Sequence, residues 1–205
     1  MAIPPDIPQI SIDEIPSDAS NKDEIISEFV SKHILPILPS KVKIITLDGF
    51  NGVGKSEISG HISRMLSVSH INIDDYLVRE QGRFVGSVRV EALKEEVEQS
   101  LIKKGGVVIE GCMADDVLEK IGKESQFRIY VMETTRQHSE TDSEGIEEYE
   151  VLYGDETCSY LLDRREKMLL GGSGEEPGRL DKELIMYHRN KRPHDRANLI
   201  IKRVR

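Results

Sequence analysis

The sequence contains no tryptophan, and aromatic residues make up only 5% of its 205 positions. This scarcity predicts a hydrophobic core built mainly from aliphatic side chains. Cysteine is also rare, and Cys112 and Cys158 show neither metal-ligand spacing nor a CxxC redox pattern. Two free thiols in a reducing cytoplasm are the simpler interpretation, and a single disulfide is the alternative.

Long apolar runs and an excess of basic charge are missing as well. No apolar stretch approaches the ~20 residues that span a bilayer, and the N-terminus lacks the pattern of a signal peptide. The chain has 28 Lys and Arg against 37 Asp and Glu, a net charge of −9. This balance argues against non-specific nucleic-acid binding, which depends on phosphate contacts. We therefore expect a cytoplasmic protein with no membrane and no nucleic-acid partner.

Short apolar strands alternate with helical patterns over most of the chain. Strands are predicted at 42–47, 71–73, 107–109, 127–132 and 199–201, and helices at 56–67, 91–103, 115–121, 160–170 and 182–189. This alternation predicts an α/β fold of three layers, with a mostly parallel sheet and helices on both faces. In such sheets, ligands bind at the carboxyl ends of the strands.

The length fits one domain with an N-terminal extension. Residues 1–20 hold four prolines and predict an extended arm, and a helix is predicted from Lys22. We assign 1–40 to an arm and helix that pack on the core, and 41–205 to the main domain. The acidic segment 133–158 shows no clear period and is predicted to be a loop or an appended helix.

A glycine-rich motif follows the first strand of the main domain, where residues 49–56 read GFNGVGKS and match GxxxxGK[ST] without a gap. Glycines let several backbone N–H groups converge on one anion, and the following helix adds the positive end of its dipole. Lys55 is expected to reach the β- and γ-phosphates of ATP, and the Ser56 hydroxyl to coordinate Mg²⁺. Because a strand precedes the motif and a helix follows it, a chance glycine-rich turn is the weaker interpretation. The residues predicted to hold the nucleotide here are Gly49, Asn51, Gly52, Val53, Gly54, Lys55 and Ser56.

Carboxylates follow the next two strands. Asp74 and Asp75 come after the second strand, where a carboxylate can accept a proton from a hydroxyl that attacks the γ-phosphoryl group. Glu110 follows the third strand, where it can hold Mg²⁺ directly or through water. The alternatives are a turn or helix cap for the Asp pair and a surface turn position for Glu110.

These motifs resemble those of the uridine kinase, phosphoribulokinase and pantothenate kinase group of P-loop kinases. DGFNGVGKS resembles their phosphate loop, INIDDYLVR their strand–Asp–x–aromatic segment, VVIEG the strand with the magnesium-binding Glu, and NKRPHDRANLII the segment that covers the adenine. The resemblance covers about 42–112 and 187–201, and it implies the P-loop NTPase fold.

The resemblance also implies roles for single residues. Asp74 would be the catalytic base, Tyr76 would line the acceptor pocket, and Arg79 would help to hold the acceptor. Arg192 and His194 would lie against the adenine, and a polar turn is the alternative for them.

A mobile lid is a further feature of this group, and here it would lie around 155–178. Arg164 in LLDRREKML is the catalytic arginine that the lid would bring onto the phosphates. A solvated helix face with ion pairs is the alternative. Uridine kinases also carry an acceptor-binding hairpin, for which the short connection after Leu101 leaves no room. The acceptor is therefore left open.

The sequence thus predicts an ATP- and Mg²⁺-dependent kinase that phosphorylates a hydroxyl of a small molecule, nucleoside- or sugar-like. A P-loop ATPase, or a regulatory nucleotide-binding protein without a small-molecule acceptor, is the alternative. A GTPase is disfavoured because no Asn-Lys-x-Asp motif occurs. The oligomeric state is open, and a homodimer is one option.

Overall fold

The computed structural model describes residues 6–13, 20–78, 84–140, 146–151 and 179–204. The strands are β1 (Gln9–Asp13), β2 (Ile44–Asp48), β3 (Ser69–Asn72), β4 (Val107–Glu110), β5 (Phe127–Glu140), β6 (Ile146–Val151) and β7 (Leu199–Val204). The α-helices are α1 (Lys22–Phe29), α2 (Lys55–Leu66), α3 (Val90–Lys104), α4 (Ala114–Lys120) and α5 (Arg179–Lys191). Short π- or 3₁₀-helical turns lie at Val30–Ile34, Leu35–Ile37, Ile73–Tyr76, Val85–Ser87 and Pro193–Arg196.

A single sheet, in the order β1-β7-β5-β2-β4-β3, organises the described part of the chain. Every neighbouring pair along this path is parallel, and β6 pairs antiparallel with the last part of β5. The central strands β2 and β4 are buried along their whole length. Burial on both faces explains why they read as continuous apolar runs. The predicted α/β fold with a mostly parallel sheet is confirmed.

Helices cover both faces of this sheet. The connections through α1 and α2 run toward β3 in the strand order, and those through α3, α4 and α5 run back toward β1. Because parallel crossovers are right-handed, these two groups of helices lie on opposite faces of the sheet. The contact between α1 and α2 agrees with this arrangement. The interior is mainly aliphatic, as the scarcity of aromatic residues predicted, and its fully buried side chains include Ile34, Leu47, Ile62, Leu93, Leu118 and Leu199.

The acidic segment differs from the prediction. β5 continues to Glu140, and its residues Thr135 to Glu140 pair antiparallel with β6. The prediction of a loop or an appended helix is therefore wrong for 133–140 and 146–151. This hairpin reads METTRQHSE and IEEYEV, in which no apolar period marks a strand.

The N-terminal arm supplies an edge strand. β1 pairs parallel with β7, with Gln9 opposite Ile200 and Asp13 opposite Val204. The prediction of an extended arm did not include this strand, and the surrounding prolines made it hard to recognise. The domain boundary at residue 41 stays a prediction. The predicted lid at 155–178 and its helix at 160–170 lie outside the described residues.

Candidate nucleotide and acceptor site

The glycine-rich loop begins where β2 ends and leads directly into α2. Gly52 and Gly54 have φ angles of +80° and +86°, which side chains with a Cβ rarely adopt. At Gly49, φ is +145°, and a Cβ would lie 2.2 Å from the carbonyl oxygen of Val131. The loop is therefore tightly curled at the carboxyl end of β2, the form that an anion cradle requires.

Lys55 is the first residue of α2, and this charged residue is buried, with a relative exposure of 7%. Its Nζ donates to the carbonyl oxygens of Phe50 at 2.7 Å and Gly49 at 3.1 Å. The ammonium group thus points into the loop. A buried ammonium group needs acceptors around it, and phosphate oxygens in the loop would supply anionic ones.

Ser56 and Glu110 meet beside the loop. Glu110 pairs in the sheet with Leu47 of β2, which places it at the base of the loop. The Ser56 hydroxyl donates to Glu110 Oε1 at 2.7 Å, and Glu110 is only 2% exposed. A hydroxyl and a carboxylate are oxygen ligands that suit Mg²⁺.

These two residues fit a magnesium ion that is completed by water and phosphate oxygens, as is usual for Mg²⁺ at nucleotides. Within the ranges that the structure describes, no group of three or more His, Cys, Asp and Glu side chains could hold a metal ion. A magnesium ion at Ser56 and Glu110 would therefore depend on a bound nucleotide for its remaining ligands.

Asp74 lies in the 3₁₀ turn that follows β3. The cap of this turn is Asn72, whose Oδ1 accepts from the Asp74 N–H at 2.9 Å. The Asp74 carboxylate is therefore not needed as the cap. Partial burial raises the pKa of this carboxyl above its ordinary value, Lys55 opposes the shift, and Asp75 adds to it. Lys55 is thus one of the charged groups that act on the predicted base.

Tyr76 is half-buried at the end of the same turn. Arg89 lies over it, with its guanidinium carbon 5.7 Å from the ring centre, and donates to the Asp75 carbonyl oxygen at 2.7 Å. The pairing of Leu77 with Val88 brings these two segments together. The sequence analysis missed Arg89, because only this bridge places it beside the predicted acceptor side. Arg79 and Arg164 lie outside the described residues and stay predictions.

Arg192 and His194 lie in the turn before β7. Arg192 pairs with Asp195 at 2.9 Å. His194 is 2% exposed, its ring centre lies 5.7 Å from that of Tyr130, and its Nε2 lies 3.1 Å from Asp195 Oδ1. This burial argues against stacking of His194 on a nucleobase. The predicted adenine contacts therefore stay predictions without geometric support.

The sequence analysis also missed Asp48, the last residue of β2. Its Oδ1 accepts from the Gly49 N–H at 2.7 Å, and its Oδ2 accepts from the Ala114 N–H at 3.2 Å and from the Tyr187 hydroxyl. Burial raises its pKa to about 6, and the Tyr187 hydrogen bond opposes the shift. The only signal in the sequence is an Asp directly before the glycine-rich motif.

Two further side chains contact the loop. Cys112 Sγ lies 2.8 Å from Asn51 Oδ1 and 3.3 Å from the Gly49 carbonyl oxygen. Burial raises the pKa of the Cys112 thiol to about 12, so the thiol stays protonated. Arg203 Nη1 approaches the carbonyl oxygen of Val53 at 3.4 Å. Both contacts brace the predicted nucleotide-binding residues from outside the motif.

Comparison with known proteins gives matches to P-loop kinases. Shikimate kinases from two strains of Thermus thermophilus are each 30% identical over 79 residues, which cover 35% of this chain and 43% of theirs. The match thus spans less than half the length of these curated relatives. No family model matches the chain. The predicted resemblance to P-loop kinases is confirmed.

Among solved structures, a possible uridine kinase from Bacillus stearothermophilus is 14% identical, with a TM-score of 0.47 over 87% of this chain and 98% of that chain. A shikimate kinase from Bacteroides thetaiotaomicron is 17% identical, with a TM-score of 0.35 over 78% of this chain and 86% of that chain. At TM-scores below 0.5, neither likeness bears on the function. In the part of the chain that the structure describes, no helix has the length and apolar character to cross a membrane.

Proposed function

We propose that this protein is an ATP-dependent small-molecule kinase that transfers the γ-phosphate of ATP to a hydroxyl group. The observation that carries the proposal is the arrangement at one edge of the sheet. A buried lysine points into a curled glycine loop, a serine and a glutamate meet at its base, and an aspartate follows β3 in the turn at the same edge. These are the parts that phosphoryl transfer requires.

Nucleotide binding would use the loop and the start of α2. The converging N–H groups and the helix N-terminus would hold the phosphates of ATP, and Lys55 would neutralise charge on the β- and γ-phosphates. Ser56 and Glu110 would hold Mg²⁺, which neutralises charge on the phosphate oxygens when bound.

Asp74 would act on the acceptor. Its carboxylate would take the proton of the acceptor hydroxyl as that oxygen bonds to the γ-phosphorus and the bond to the ADP oxygen breaks. The products would be ADP and a phosphate monoester. A raised pKa brings a carboxyl closer to neutral pH, which favours its work as a base.

The acceptor would approach from the side of Tyr76 and Arg89. The half-buried ring and the guanidinium group over it form a surface that suits a polar small molecule with a flat or cyclic body. The curated matches are shikimate kinases, so shikimate joins the nucleosides, sugars, sugar phosphates and vitamin-like alcohols as a candidate acceptor.

Measuring ADP release from Mg·ATP, with and without each candidate acceptor, tests the proposal. We expect a slow basal rate and a large increase with one class of alcohol. A phosphate monoester detected by phosphorus NMR would identify the product as that of a kinase. A high rate that no alcohol changes would contradict the proposal and favour the ATPase alternative.

A further inference from the structure

The phosphate loop rests on a helix that is distant from it in sequence. The Tyr187 hydroxyl of α5 donates to Asp48 Oδ2, and Tyr187 is only 4% exposed. Through its other contacts, Asp48 fixes the Gly49 N–H at the entrance of the loop and the Ala114 N–H at the start of α4. One carboxylate thus joins β2, the loop, α4 and α5.

The next residue of α5 touches the loop a second time. The ring of His188 stacks on that of Phe50, with ring centres 3.9 Å apart and planes inclined by 14°. His188 is fully buried, and its Nδ1 lies 2.9 Å from the Leu184 carbonyl oxygen, which fixes the orientation of the ring. Phe50 is a loop residue whose carbonyl oxygen accepts from Lys55. The stack therefore also helps to fix the position of the Lys55 ammonium group.

We propose that Tyr187 and His188 are positioning residues that hold the phosphate loop in its nucleotide-binding form, Tyr187 through Asp48 and His188 through Phe50. Neither side chain needs to touch the nucleotide. Removing either contact loosens one end of the loop, and the converging N–H groups and Lys55 then lose their alignment. This inference rests on the proposed function only in taking the loop as a nucleotide site.

The proposal predicts that nucleotide binding depends on pH through the carboxyl group of Asp48. Lys55 from α2 and Asp115 from α4 act on Asp48 with opposite signs, and the Tyr187 hydroxyl from α5 supports its charged form. The protonated Cys112 thiol also lies nearby. Without the tyrosine hydroxyl, the pKa of Asp48 rises above its value of about 6 and moves toward neutrality. A protonated Asp48 is a weaker acceptor for the two remaining donors, the N–H groups of Gly49 and Ala114, so the loop loosens at a higher pH.

The test compares Tyr187→Phe with the wild-type chain. Its matched control is Ser125→Ala, which removes another buried hydrogen bond to β2, the one between Thr46 Oγ1 and Ser125 Oγ at 2.8 Å, without touching the loop. We expect Tyr187→Phe to weaken Mg·ADP binding by about ten-fold at pH 7.5, as the loss of one hydrogen bond to a charged group allows. As the pH is lowered, the affinity of Tyr187→Phe should fall with a midpoint above that of the wild type, whereas the control should keep the wild-type midpoint. Titration calorimetry between pH 5.5 and 8.5 measures both quantities.

Hydrogen exchange in the nucleotide-free chain gives a second readout. We expect faster exchange at the amides of 49–56 in Tyr187→Phe and in His188→Ala, and no change in Ser125→Ala. His188→Phe keeps an aromatic ring against Phe50 and should restore slow exchange. If loop exchange and Mg·ADP affinity in both α5 variants equal those of the control, the proposal is overturned. A wild-type chain that binds no Mg·ADP overturns the proposed function, and the exchange pattern then decides separately whether Tyr187 and His188 order the loop.

Discussion

The two sides of the candidate site are built differently. The phosphate side consists of one contiguous motif whose parts depend on local backbone geometry, with Glu110 supplied by the adjacent strand. The proposed acceptor side is assembled from the turn after β3, the segment at 84–89 and helix α5, which meet only in the folded chain. On the proposed function, the first side would hold phosphate, as loops of this kind do in many proteins, and the second side would select the acceptor.

The contacts that hold the acceptor side span long stretches of sequence. Glu183 of α5 accepts from the N–H groups of Phe84 at 2.6 Å and Val85 at 3.2 Å. Lys120 of α4 donates to the Val85 carbonyl oxygen at 2.8 Å. The helix that braces the phosphate loop through Tyr187 therefore also fixes the acceptor-side segment, one turn earlier. Helix α5 thus contacts both sides. Substitutions that disturb only one side can show whether the two sides act independently.

The largest effect is expected at the phosphate side. Lys55→Ala removes the buried ammonium group inside the loop, and ADP formation should fall by about a thousand-fold or more, because charge neutralisation is a main source of catalysis in phosphoryl transfer. Mg·ATP affinity should also fall. Steady-state ADP release and calorimetry measure the two effects. Turnover within about ten-fold of the wild type would show that the loop is not the phosphate site.

Asp74→Asn should separate chemistry from nucleotide binding. Loss of a general base lowers the rate by about 10²–10⁴-fold, whereas Mg·ATP affinity should stay near that of the wild type. Asp75→Asn is the matched control, since the neighbouring carboxylate has no assigned proton transfer. The acceptor found by the alcohol screen is needed for this measurement. Equal rates in Asp74→Asn and the wild type would refute the base assignment.

The sequence predicted a glycine-rich loop between a strand and a helix because each requirement of this loop is local, whereas the roles assigned to its residues stay predictions. Glycine at positive φ, a lysine opening a helix and a carboxylate ending the neighbouring strand can all be recognised without tertiary contacts. The alternation of strands and helices likewise predicted the parallel sheet. Both features depend on short-range periodicity and turn chemistry.

Other features of the fold and of the candidate site could not be predicted, because they depend on contacts between residues that are far apart in sequence. Arg89 reaches Asp75 only through the bridge between Leu77 and Val88. Tyr187 donates to Asp48, which is far from it in sequence. No feature of the sequence around Tyr187 indicates this contact. The hairpin formed by Thr135–Glu140 of β5 and by β6 was missed for a related reason: these two segments pair with each other, and they carry no apolar pattern.

A smaller effect should distinguish two glycines of the loop. Gly49→Ala places a methyl group 2.2 Å from the Val131 carbonyl oxygen at φ +145°, so the free energy of unfolding should fall by about 2–4 kcal/mol. Gly52→Ala also has a positive φ but meets no atom within 4 Å, and it should cost about 1 kcal/mol. Urea denaturation measures both variants. Equal losses would show that the backbone next to Gly49 yields to the added methyl group.

The smallest effect is expected for Glu183→Gln, a substitution that should disturb the proposed acceptor side alone. Glu183→Gln replaces a carboxylate, whose two oxygens accept from the Phe84 and Val85 N–H groups, with an amide that has one acceptor oxygen and one NH₂ donor group. The free energy of unfolding should fall by about 1–2 kcal/mol, because one N–H group then loses its partner.

Hydrogen exchange should become faster at 84–88 in this variant, while Mg·ADP affinity stays unchanged, because Tyr187 still holds Asp48 from the same helix. The matched control is Glu98→Gln, which removes the partner of Lys123 in a surface ion pair of 3.1 Å and should cost under about 1 kcal/mol. A fall in Mg·ADP affinity in Glu183→Gln would mean that α5 moves as one rigid body. In that case the acceptor side and the phosphate side could not be adjusted separately, and a change in acceptor specificity would require compensating changes along the whole helix.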